Sequence, residues 1–378
     1  MGDKPSNSPR IVIFIHSLHG GGAERVAADL SAHWASAGWS VMVVTQADAR
    51  DDAYTLHPNV QRRVLNTVGV GGGLRGIWAN VRRVHALRRV LREFKPDIVL
   101  GMMTTASVLA VVAAQGLPCK VIATEHTHPP SQTLSGLWVR LRRWAYPRAS
   151  KVVALTRGTA NWLDQHVPGC QLDVIPNPVH WPLSRAEPVV PVSFSRTRRH
   201  LLAVGRLHPD KGFDLLVTAF AQIAFQHPEW DLVVLGEGDE RQRLQAQIDA
   251  AGLQQRITMP GRVGNVGDWY EAADIYVLSS RFEGLSNTLL ESLASGLPAV
   301  CFDCDTGPRE VVRDGIDGVL VRPNGDVHAM ATALSTLMQD DNSRHAMAQQ
   351  AIDARNRFSA QHVLSLWKKL FDDVQGRG

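Results

Sequence analysis

Short apolar segments alternate with helical segments along nearly the whole chain, and this alternation limits the fold more than any other feature. The first apolar segment, "RIVIFIHSL" from Arg10, is a continuous run, as in a strand that is buried on both faces of a sheet. The segment "VAADLSAHWASAG" then shows helical spacing of its apolar residues and ends at Gly38. Strands that alternate with helices predict a parallel, doubly wound sheet.

The alternation runs twice, with one interruption. Between the two rounds the chain has five prolines and little regular pattern, which places a boundary in about 178–198. The 378 residues also exceed one ordinary domain of about 150–200 residues. We therefore predict Rossmann-like domains over 1–185 and 198–355, and a C-terminal helix in 356–378 that crosses back to the first domain.

The helical segments within these domains follow from the spacing of their apolar residues. Helices are predicted over Leu74–Phe94, Thr105–Gln115, Phe213–Gln226, Glu240–Ala251, Val266–Ala272, Asn287–Ser295 and Val327–Gln339.

Composition excludes several classes of protein. No segment reaches the ~18 apolar residues of a membrane-spanning helix, and the N-terminus lacks the apolar core of a signal peptide, so we expect a cytoplasmic protein. Its 4 cysteines suit a reduced compartment, and we interpret the C-x-x-C of Cys301 and Cys304 as buried thiols rather than a zinc or redox pair. Residues 1–190 carry 21 Lys and Arg against 12 Asp and Glu, whereas residues 191–378 carry 19 against 24. The basic half is expected to meet an anionic partner.

A glycine-rich loop, "HGGGAER", follows the first predicted strand and precedes a helix. Gly21 and Gly22 let the backbone approach a ligand closely, and a helix N-terminus favours an anion. The loop is neither G-x-G-x-x-G nor a P-loop. We interpret it as facing a ligand, and a simple tight turn is the alternative.

The loop "GRLHPDKG" follows the first strand of the second domain and supplies two cations. Arg206 and Lys211 can face one anion, and charge-assisted bonds to phosphate contribute about 1.5–3 kcal/mol each. A solvated surface loop is the equally weighted alternative.

Two acids flank a predicted helix start in "FEGLSNTLLES". Glu283 lies before the helix and Glu291 on its second turn, with the backbone N–H groups of Leu285–Thr288 between them. Phosphates can bind those N–H groups, while one carboxylate accepts a ribose hydroxyl and the other faces a sugar. The alternative is a capped helix with two exposed acids, since Ser286 and Asn287 are both good caps.

Together, "GGGAER", "GRLHPDKG" and the acids with seven residues between them resemble the retaining glycosyltransferases of family four, over nearly the whole chain. "FDCDTGPREVV" is similar to the branch that adds hexose or N-acetylhexosamine to polyprenyl-diphosphate-linked glycans. The resemblance implies a GT-B fold, with two Rossmann-like domains facing across a cleft. It also implies a nucleotide-sugar donor, taken as UDP-linked, a glycan acceptor, and no cofactor or bound metal.

The resemblance also assigns roles by position. Arg206 and Lys211 would bind the donor diphosphate, Glu291 the ribose hydroxyls, and Glu283 would lie by the sugar. His126 in "TEHTHPP" matches the active-site histidine, with His128 as a second candidate. The remaining donor-binding residues are Gly21, Gly22, Gly236, Gly238, Arg262, Val263, Gly284, Leu285, Ser286, Asn287, Thr288 and Leu289.

Other interpretations remain open. Asp303–Asp305 resembles the metal-binding D-x-D of the other transferase fold, but it follows a strand of the wrong domain type. His126 with His128 could bind a metal, but no acid or cysteine is placed to complete the site. The run Leu137–Lys151 mixes aromatics with arginines, which suits either an anionic membrane surface or a helix packing its aromatics inward. A second basic face comprises Arg75, Arg82, Arg83, Arg88, Arg89 and Arg92. No nucleic-acid reader motif accompanies either face.

The sequence leaves two other functions open. A sugar-nucleotide 2-epimerase shares the GT-B architecture and would act without an acceptor. A non-catalytic module could bind an anionic glycan or a membrane through the basic half, although a pure binder has no need of a leaving-group clamp.

Overall fold

The structure, a computed structural model, describes residues 8–50, 52–67, 73–194 and 197–376, without the side chains of 73–75 and 77. It divides into two units. The N-terminal unit is the chain up to Pro176 together with the residues from Leu366 onward, and the C-terminal unit is Asn177–Ser365.

The N-terminal unit is built on a seven-stranded sheet in the order β3-β2-β1-β4-β5-β6-β7. Every neighbouring pair is parallel. The strands are β1 (Arg10–Ile15), β2 (Ser40–Thr45), β3 (Gln61–Val64), β4 (Ile98–Met102), β5 (Lys120–Glu125), β6 (Lys151–Ala154) and β7 (Leu172–Val174). The edge strands β3 and β7 were not predicted, because "QRRV" and "LDV" are short and only partly buried.

Helices cover both faces of this sheet, as the alternating pattern predicted. They are α1 (Gly22–Ser36), α2 (Gly73–Phe94), α3 (Thr104–Ala114), α4 (Gly136–Ala145) and α5 (Arg157–His166). Helix α3 is apolar almost all round because it packs on the sheet and also touches α2 and α4. A short 3-10 turn, Pro129–Ser131, lies between β5 and α4.

The C-terminal unit repeats the plan with a six-stranded parallel sheet in the order β10-β9-β8-β11-β12-β13. The strands are β8 (Arg199–Val204), β9 (Trp230–Leu235), β10 (Ile257–Gly261), β11 (Ile275–Leu278), β12 (Ala299–Phe302) and β13 (Gly318–Val321). The helices are α6 (Phe213–Ile223), α7 (Arg241–Ala250), α8 (Val266–Ala272), α9 (Asn287–Ala294), α10 (Pro308–Val311), α11 (Val327–Gln339), α12 (Asp341–Ala351), α13 (Ala354–Arg357) and α14 (Ala360–Gln375). Each unit has its own cluster of buried apolar side chains. The prediction of two doubly wound domains is confirmed.

The last helix, α14, contributes to both units, because its residues from Leu366 onward belong to the N-terminal one. Trp367 and Phe371 are buried against Trp34 of α1, with ring centroids 6.1 and 5.1 Å from it. Lys151 Nζ adds an ion pair with Asp373 at 3.0 Å. An aromatic cluster therefore fixes the end of the chain to the N-terminal unit.

The proline-rich connection belongs to the C-terminal unit from Asn177 onward. Its backbone is irregular but bonded, since Ala186 N donates to Gly264 O and Gly264 N donates to Pro188 O. Asn265 completes the contact by bonding both the N–H and the carbonyl of Val190. No helix in the described part of the chain is long and apolar enough to cross a membrane.

Candidate active site

The loops that follow β8, β9, β10 and β11 meet at one edge of the C-terminal sheet, because all its strands run in parallel. Gly205 N donates to Leu235 O, Leu207 N to Glu237 O, and Gly236 N to Gly261 O. These bonds join successive loops at the carboxyl ends of the strands, where open α/β sheets bind ligands. Arg206, between two of the bonded residues, is held at this edge.

Lys211 and Glu283 form a direct ion pair at the same edge. Lys211 Nζ lies 2.7 Å from Glu283 Oε1, and Ser280 Oγ donates to the same oxygen at 2.7 Å. The Glu283 side chain is 8% exposed and that of Lys211 24%. Burial lowers the pKa of Lys211, but the charge and hydrogen bond of Glu283 outweigh it, so the net pKa is raised. Lys211 is therefore a fixed positive charge at neutral pH.

Two backbone contacts hold the Lys211 loop against the loop of Glu283. Ser279 Oγ donates to the Lys211 carbonyl at 2.9 Å, and Arg281 N donates to Asp210 O at 2.8 Å. Arg206 is the less restrained cation, since its side chain is 68% exposed and its ion pair with Asp210 spans 3.9 Å. The "GRLHPDKG" loop is thus a bonded element of the site, and of its two candidate phosphate-binding cations only Arg206 fits the alternative of a solvated loop.

Helix α9 begins with a capped turn and carries a buried acid. The Ser286 hydroxyl accepts a bond from Leu289 N at 3.4 Å. Glu291 is 5% exposed, and Tyr270 Oη donates to its Oε2 at 3.4 Å. The predicted cap is present, but the alternative with two exposed acids is wrong, because Glu283 and Glu291 are both buried.

Two tyrosines donate hydrogen bonds to this turn, and neither lies in a predicted site motif. Tyr276 Oη donates to Thr288 Oγ1 at 2.7 Å, and Tyr270 Oη also contacts the Thr288 carbonyl at 3.2 Å. Both rings are fully buried. Nothing in the sequence pattern marks them, because a buried tyrosine on a strand or helix looks the same as any core aromatic.

The glycines of "LGEGD" have a structural reason of their own. A Cβ on Gly236 would lie 1.8 Å from the Gly205 carbonyl oxygen, and one on Gly238 would lie 2.3 Å from that of Leu207. Both glycines let the β9 loop touch the β8 loop that carries Arg206. Arg262 and Val263 follow β10 at the same edge, with Arg262 exposed.

In the N-terminal unit, Gly21 and Gly22 lie at the start of α1, where Gly21 is the N-cap residue. The Gly21 carbonyl accepts a bond from Tyr54 Oη at 3.2 Å. A Cβ on Gly21 would lie 2.3 Å from Glu24 Oε2, so the side chain of Glu24 covers the first turn. The loop is a bonded helix start at the carboxyl end of β1.

His126 and His128 occupy different surroundings at the carboxyl end of β5. His128 is buried, with Nδ1 3.2 Å from Thr159 Oγ1 and its ring edge-on to Trp162. His126 Nε2 lies 3.0 Å from Thr124 Oγ1, whereas its buried Nδ1 has no hydrogen-bond partner among the described residues. Of the two, His126 has the ring nitrogen left for a ligand.

A buried carboxylate beside His126 was not predicted. Glu125 is 1% exposed and accepts hydrogen bonds from Thr104, Gln132 and Tyr146. Arg142 Nη1 lies 3.8 Å from it. The only signal in the sequence is an acid as the last residue of the predicted strand "KVIATE".

The residues that the sequence offered as metal ligands are engaged by other side chains or stand apart. Asp303 is buried and pairs with Arg309 Nε at 2.8 Å and Arg322 Nε at 2.5 Å. No group of three or more His, Cys, Asp and Glu in the described ranges is placed to hold a metal ion. Cys301 and Cys304 are buried free thiols, as predicted, and burial raises the pKa of Cys304 to about 12.

The basic faces are smaller than the sequence suggested. Arg142 is buried under Trp162 and beside Glu125, and Lys151 pairs with two aspartates. On α2, Arg83 donates to Thr67 O and Arg88 donates to the carbonyls that end α3. The side chain of Arg75 lies outside the described residues. The exposed remainder is Arg82, Arg89 and Arg92 on α2 and Arg140, Arg143 and Arg148 near α4.

Comparison with known proteins identifies the family to which the chain is similar. Residues 20–180 match the family model "Glycosyltransferase Family 4", and residues 190–354 match "Glycosyl transferases group 1". A Campylobacter jejuni α-1,4-N-acetyl-D-galactosaminyltransferase, named for a diNAcBac-PP-undecaprenol-linked acceptor, is 26% identical over 97% of this chain and 99% of its own. An exopolysaccharide phosphotransferase of Streptomyces coelicolor is 33% identical over 77% of this chain, which spans only 30% of that relative.

Solved structures agree on the architecture. Sucrose-phosphate synthase from Thermosynechococcus elongatus superposes with a TM-score of 0.85 at 19% identity, covering 98% of this chain and 100% of that one. Anabaena HepE, solved with UDP and glucose, gives 0.80 at 20% identity, covering 96% and 99%. Fold and family models together define a GT-B glycosyltransferase. Within that class the chain belongs to the family-four type, which confirms the family that the sequence motifs indicated.

The ionisation of His126 gives a prediction on stability. Burial lowers the pKa of His126 from 6.5 to about 4. The unfolded chain therefore binds a proton on this residue at a higher pH than the folded one. The contribution of the neutral, buried His126 to the free energy of unfolding is therefore complete above pH 6.5 and is lost as the pH falls towards 4. We expect His126→Gln to remove up to about 3 kcal/mol of the difference in unfolding free energy between neutral pH and pH about 4.

Urea unfolding at the two pH values measures this difference, with His85→Gln on the exposed side of α2 as the matched control. Equal pH dependence in His126→Gln and the wild type would show that His126 is not buried in its neutral form.

Proposed function

We propose that the protein transfers a hexose or N-acetylhexosamine from a UDP-linked donor to a polyprenyl-diphosphate-linked glycan, with retention of anomeric configuration and without a bound metal. This reaction belongs to the assembly of surface polysaccharides or glycoprotein glycans. The acceptor class follows the name of the Campylobacter relative, and the donor base follows the UDP in the HepE structure. The enzyme acts at the cytoplasmic face of the membrane.

The observation that carries the proposal is the ion pair between Lys211 and the buried Glu283 beside the start of α9. A fixed ammonium, the exposed Arg206 guanidinium and the positive end of the α9 helix dipole can together neutralise a departing diphosphate. These are the charges that a metal ion supplies in other transferases. Glu291 then remains for the ribose hydroxyls.

The same pair bears on the stereochemistry. Glu283 already accepts bonds from Lys211 and Ser280 through Oε1, so it is a poor covalent nucleophile. The bond from the anomeric carbon to the diphosphate oxygen breaks as the acceptor oxygen bonds that carbon from the same face. The acceptor proton passes to the departing diphosphate. His126, neutral because burial lowers its pKa to about 4, offers Nδ1 to a sugar hydroxyl.

The test is release of nucleoside diphosphate from a panel of UDP- and GDP-sugars, with EDTA, with and without a polyprenyl-diphosphate glycan. We expect release that needs the acceptor and survives EDTA, and an α-linked product from an α-donor by NMR. Loss of activity in EDTA that Mg²⁺ or Mn²⁺ restores would overturn metal independence. A β-linked product would overturn retention.

The rival functions give different results in this assay. A 2-epimerase would convert the donor sugar without an acceptor, and a binding module would consume no donor. The relatives named above are transferases rather than epimerases, which favours the transferase.

The proposed membrane contact lies on α2. Its exposed side carries Trp78, which is 69% exposed, and Val81, followed by three arginines. An interfacial aromatic next to cations suits an anionic lipid surface. We expect replacement of Arg82, Arg89 and Arg92 by serine to reduce flotation with phosphatidylglycerol vesicles by about 10-fold or more, since each basic residue contributes about 1 kcal/mol.

Vesicles of neutral phosphatidylcholine serve as the control in the flotation experiment. Undiminished flotation of the triple variant with anionic vesicles would remove α2 from the membrane contact.

A further inference from the structure

A buried acid stands next to the candidate active-site histidine without a role in the chemistry above. Glu125 is 1% exposed, and burial raises its pKa while the bonds from Tyr146 and Gln132 and the charge of Arg142 oppose the rise. Burying a carboxylate is costly unless it is paired and hydrogen-bonded. The surrounding side chains enclose Glu125, so it has no access to a substrate, and its role must act through its partners.

Gln132 connects Glu125 to the backbone beside His126. Its Nε2 donates to Glu125 Oε2 at 3.0 Å and to the Thr127 carbonyl at 3.0 Å. Its Oε1 accepts hydrogen bonds from Thr104 Oγ1 at 3.0 Å and from Arg142 Nη1 at 3.4 Å. Both amide hydrogens are therefore used, one on the acid and one on the backbone next to His126. This arrangement also fixes which way the amide points, because the reverse orientation would place its oxygen against a carboxylate and a carbonyl.

The His126 ring has few restraints of its own. Its Nε2 contacts Thr124 Oγ1 at 3.0 Å, and its Nδ1 is buried without a partner among the described residues. The direction of the ring thus depends on the backbone on either side of it. Glu125 is the residue before His126 and Thr127 the residue after it, and Gln132 bridges the two.

We propose that Glu125 and Gln132 act as a clamp on the His126 backbone, which holds the imidazole in the orientation that the transfer reaction uses. Both are positioning residues rather than catalytic ones. The clamp rests on the proposed function in one respect, namely that His126 contacts the reacting sugar. Thr104 and Tyr146 complete the hydrogen bonds of Glu125 and keep its carboxylate in place.

The experiment compares Gln132→Leu, His126→Ala and the double variant. Leucine fills a similar volume and makes none of the four side-chain hydrogen bonds of Gln132, which join it to Glu125, Thr127, Arg142 and Thr104. We expect Gln132→Leu to lower kcat by about 10- to 100-fold with the donor KM unchanged, since a misplaced group of this kind costs up to about 10²-fold. In the His126→Ala background the same change should alter kcat by less than about twofold, because residues that act through one another are not additive. Gln165→Leu, at an exposed position on α5, is the matched control.

A second readout does not depend on activity. With ¹⁵N-labelled histidine, and with the His126 signals assigned by their absence in His126→Ala, we expect the ring signals to shift in Gln132→Leu and to stay in place in Gln165→Leu. If Gln132→Leu does not fold, Glu125→Gln keeps the shape and removes the charge, and the same ring shift is expected.

Two results would overturn the clamp. One is additive losses of kcat in the double variant, and the other is unshifted His126 ring signals in folded Gln132→Leu. If His126→Ala keeps full kcat, the proposed role of His126 in catalysis fails, while the ring signals still decide whether the clamp exists.

Discussion

Replacing Lys211 by methionine is expected to lower kcat/KM for the donor by about 10²–10³-fold. Lys211 is the partly buried cation of the site, 2.7 Å from Glu283, and its raised pKa keeps it charged at neutral pH. Its charge is worth most when the diphosphate departs, since negative charge then grows on the leaving oxygens. The loss should therefore appear mainly in kcat. Initial rates of nucleoside diphosphate release over a range of donor concentrations measure it.

The same substitution leaves Glu283 buried without its partner, which is costly by itself. The double variant with Glu283→Gln removes that unpaired charge, so it should regain the stability of the wild type without regaining activity. Lys120→Met, at the exposed start of β5, is the control for loss of a lysine. Full activity in folded Lys211→Met would refute the assignment of Lys211 to the leaving group.

The second large effect is expected at Gly236, where alanine should lower the free energy of unfolding by about 3–4 kcal/mol. Gly236 has φ +137°, and a Cβ there would lie 1.8 Å from the Gly205 carbonyl oxygen. The backbone of one loop must move away from the other. Because Arg206 follows Gly205, we also expect weaker donor binding in any variant that remains folded.

Gly252→Ala is the matched control for Gly236→Ala. Its φ is +67°, but no atom lies within 4 Å of the added Cβ, so only the cost of the left-handed conformation remains, about 1–2 kcal/mol. Denaturation followed by tryptophan fluorescence compares the two variants. Equal destabilisation would show that the loops do not depend on their close contact.

The regular elements were predictable because their patterns are local. The buried strands β1 and β4 contain continuous apolar runs, and such runs between helical segments predict strands inside a sheet. Helices over Val266–Ala272 and Val327–Gln339 have the predicted bounds. The edge strand β3 was missed, since half-buried polar residues carry no such signal.

The sequence predicted which residues belong to the candidate site, but not which of them contact each other. The sequence marked Lys211 and Glu283 as charged groups near one sheet edge, yet their spacing along the chain says nothing about a 2.7 Å contact. Arg142 shows the reverse error. Nothing in the run Leu137–Lys151 separates Arg142 from its neighbouring arginines, whereas the structure buries it beside Glu125.

The sequence by itself determined two doubly wound units, the loops that carry the cations and acids, and the family-four resemblance, since all of these lie in local periodicity and short motifs. Only the tertiary structure decided which charges are paired, that His126 Nδ1 has no hydrogen-bond partner among the described residues, and that Gln132 bridges Glu125 and Thr127. These are contacts between side chains on different elements. Their distances depend on how strands and helices pack, and the order of residues along the chain does not specify that.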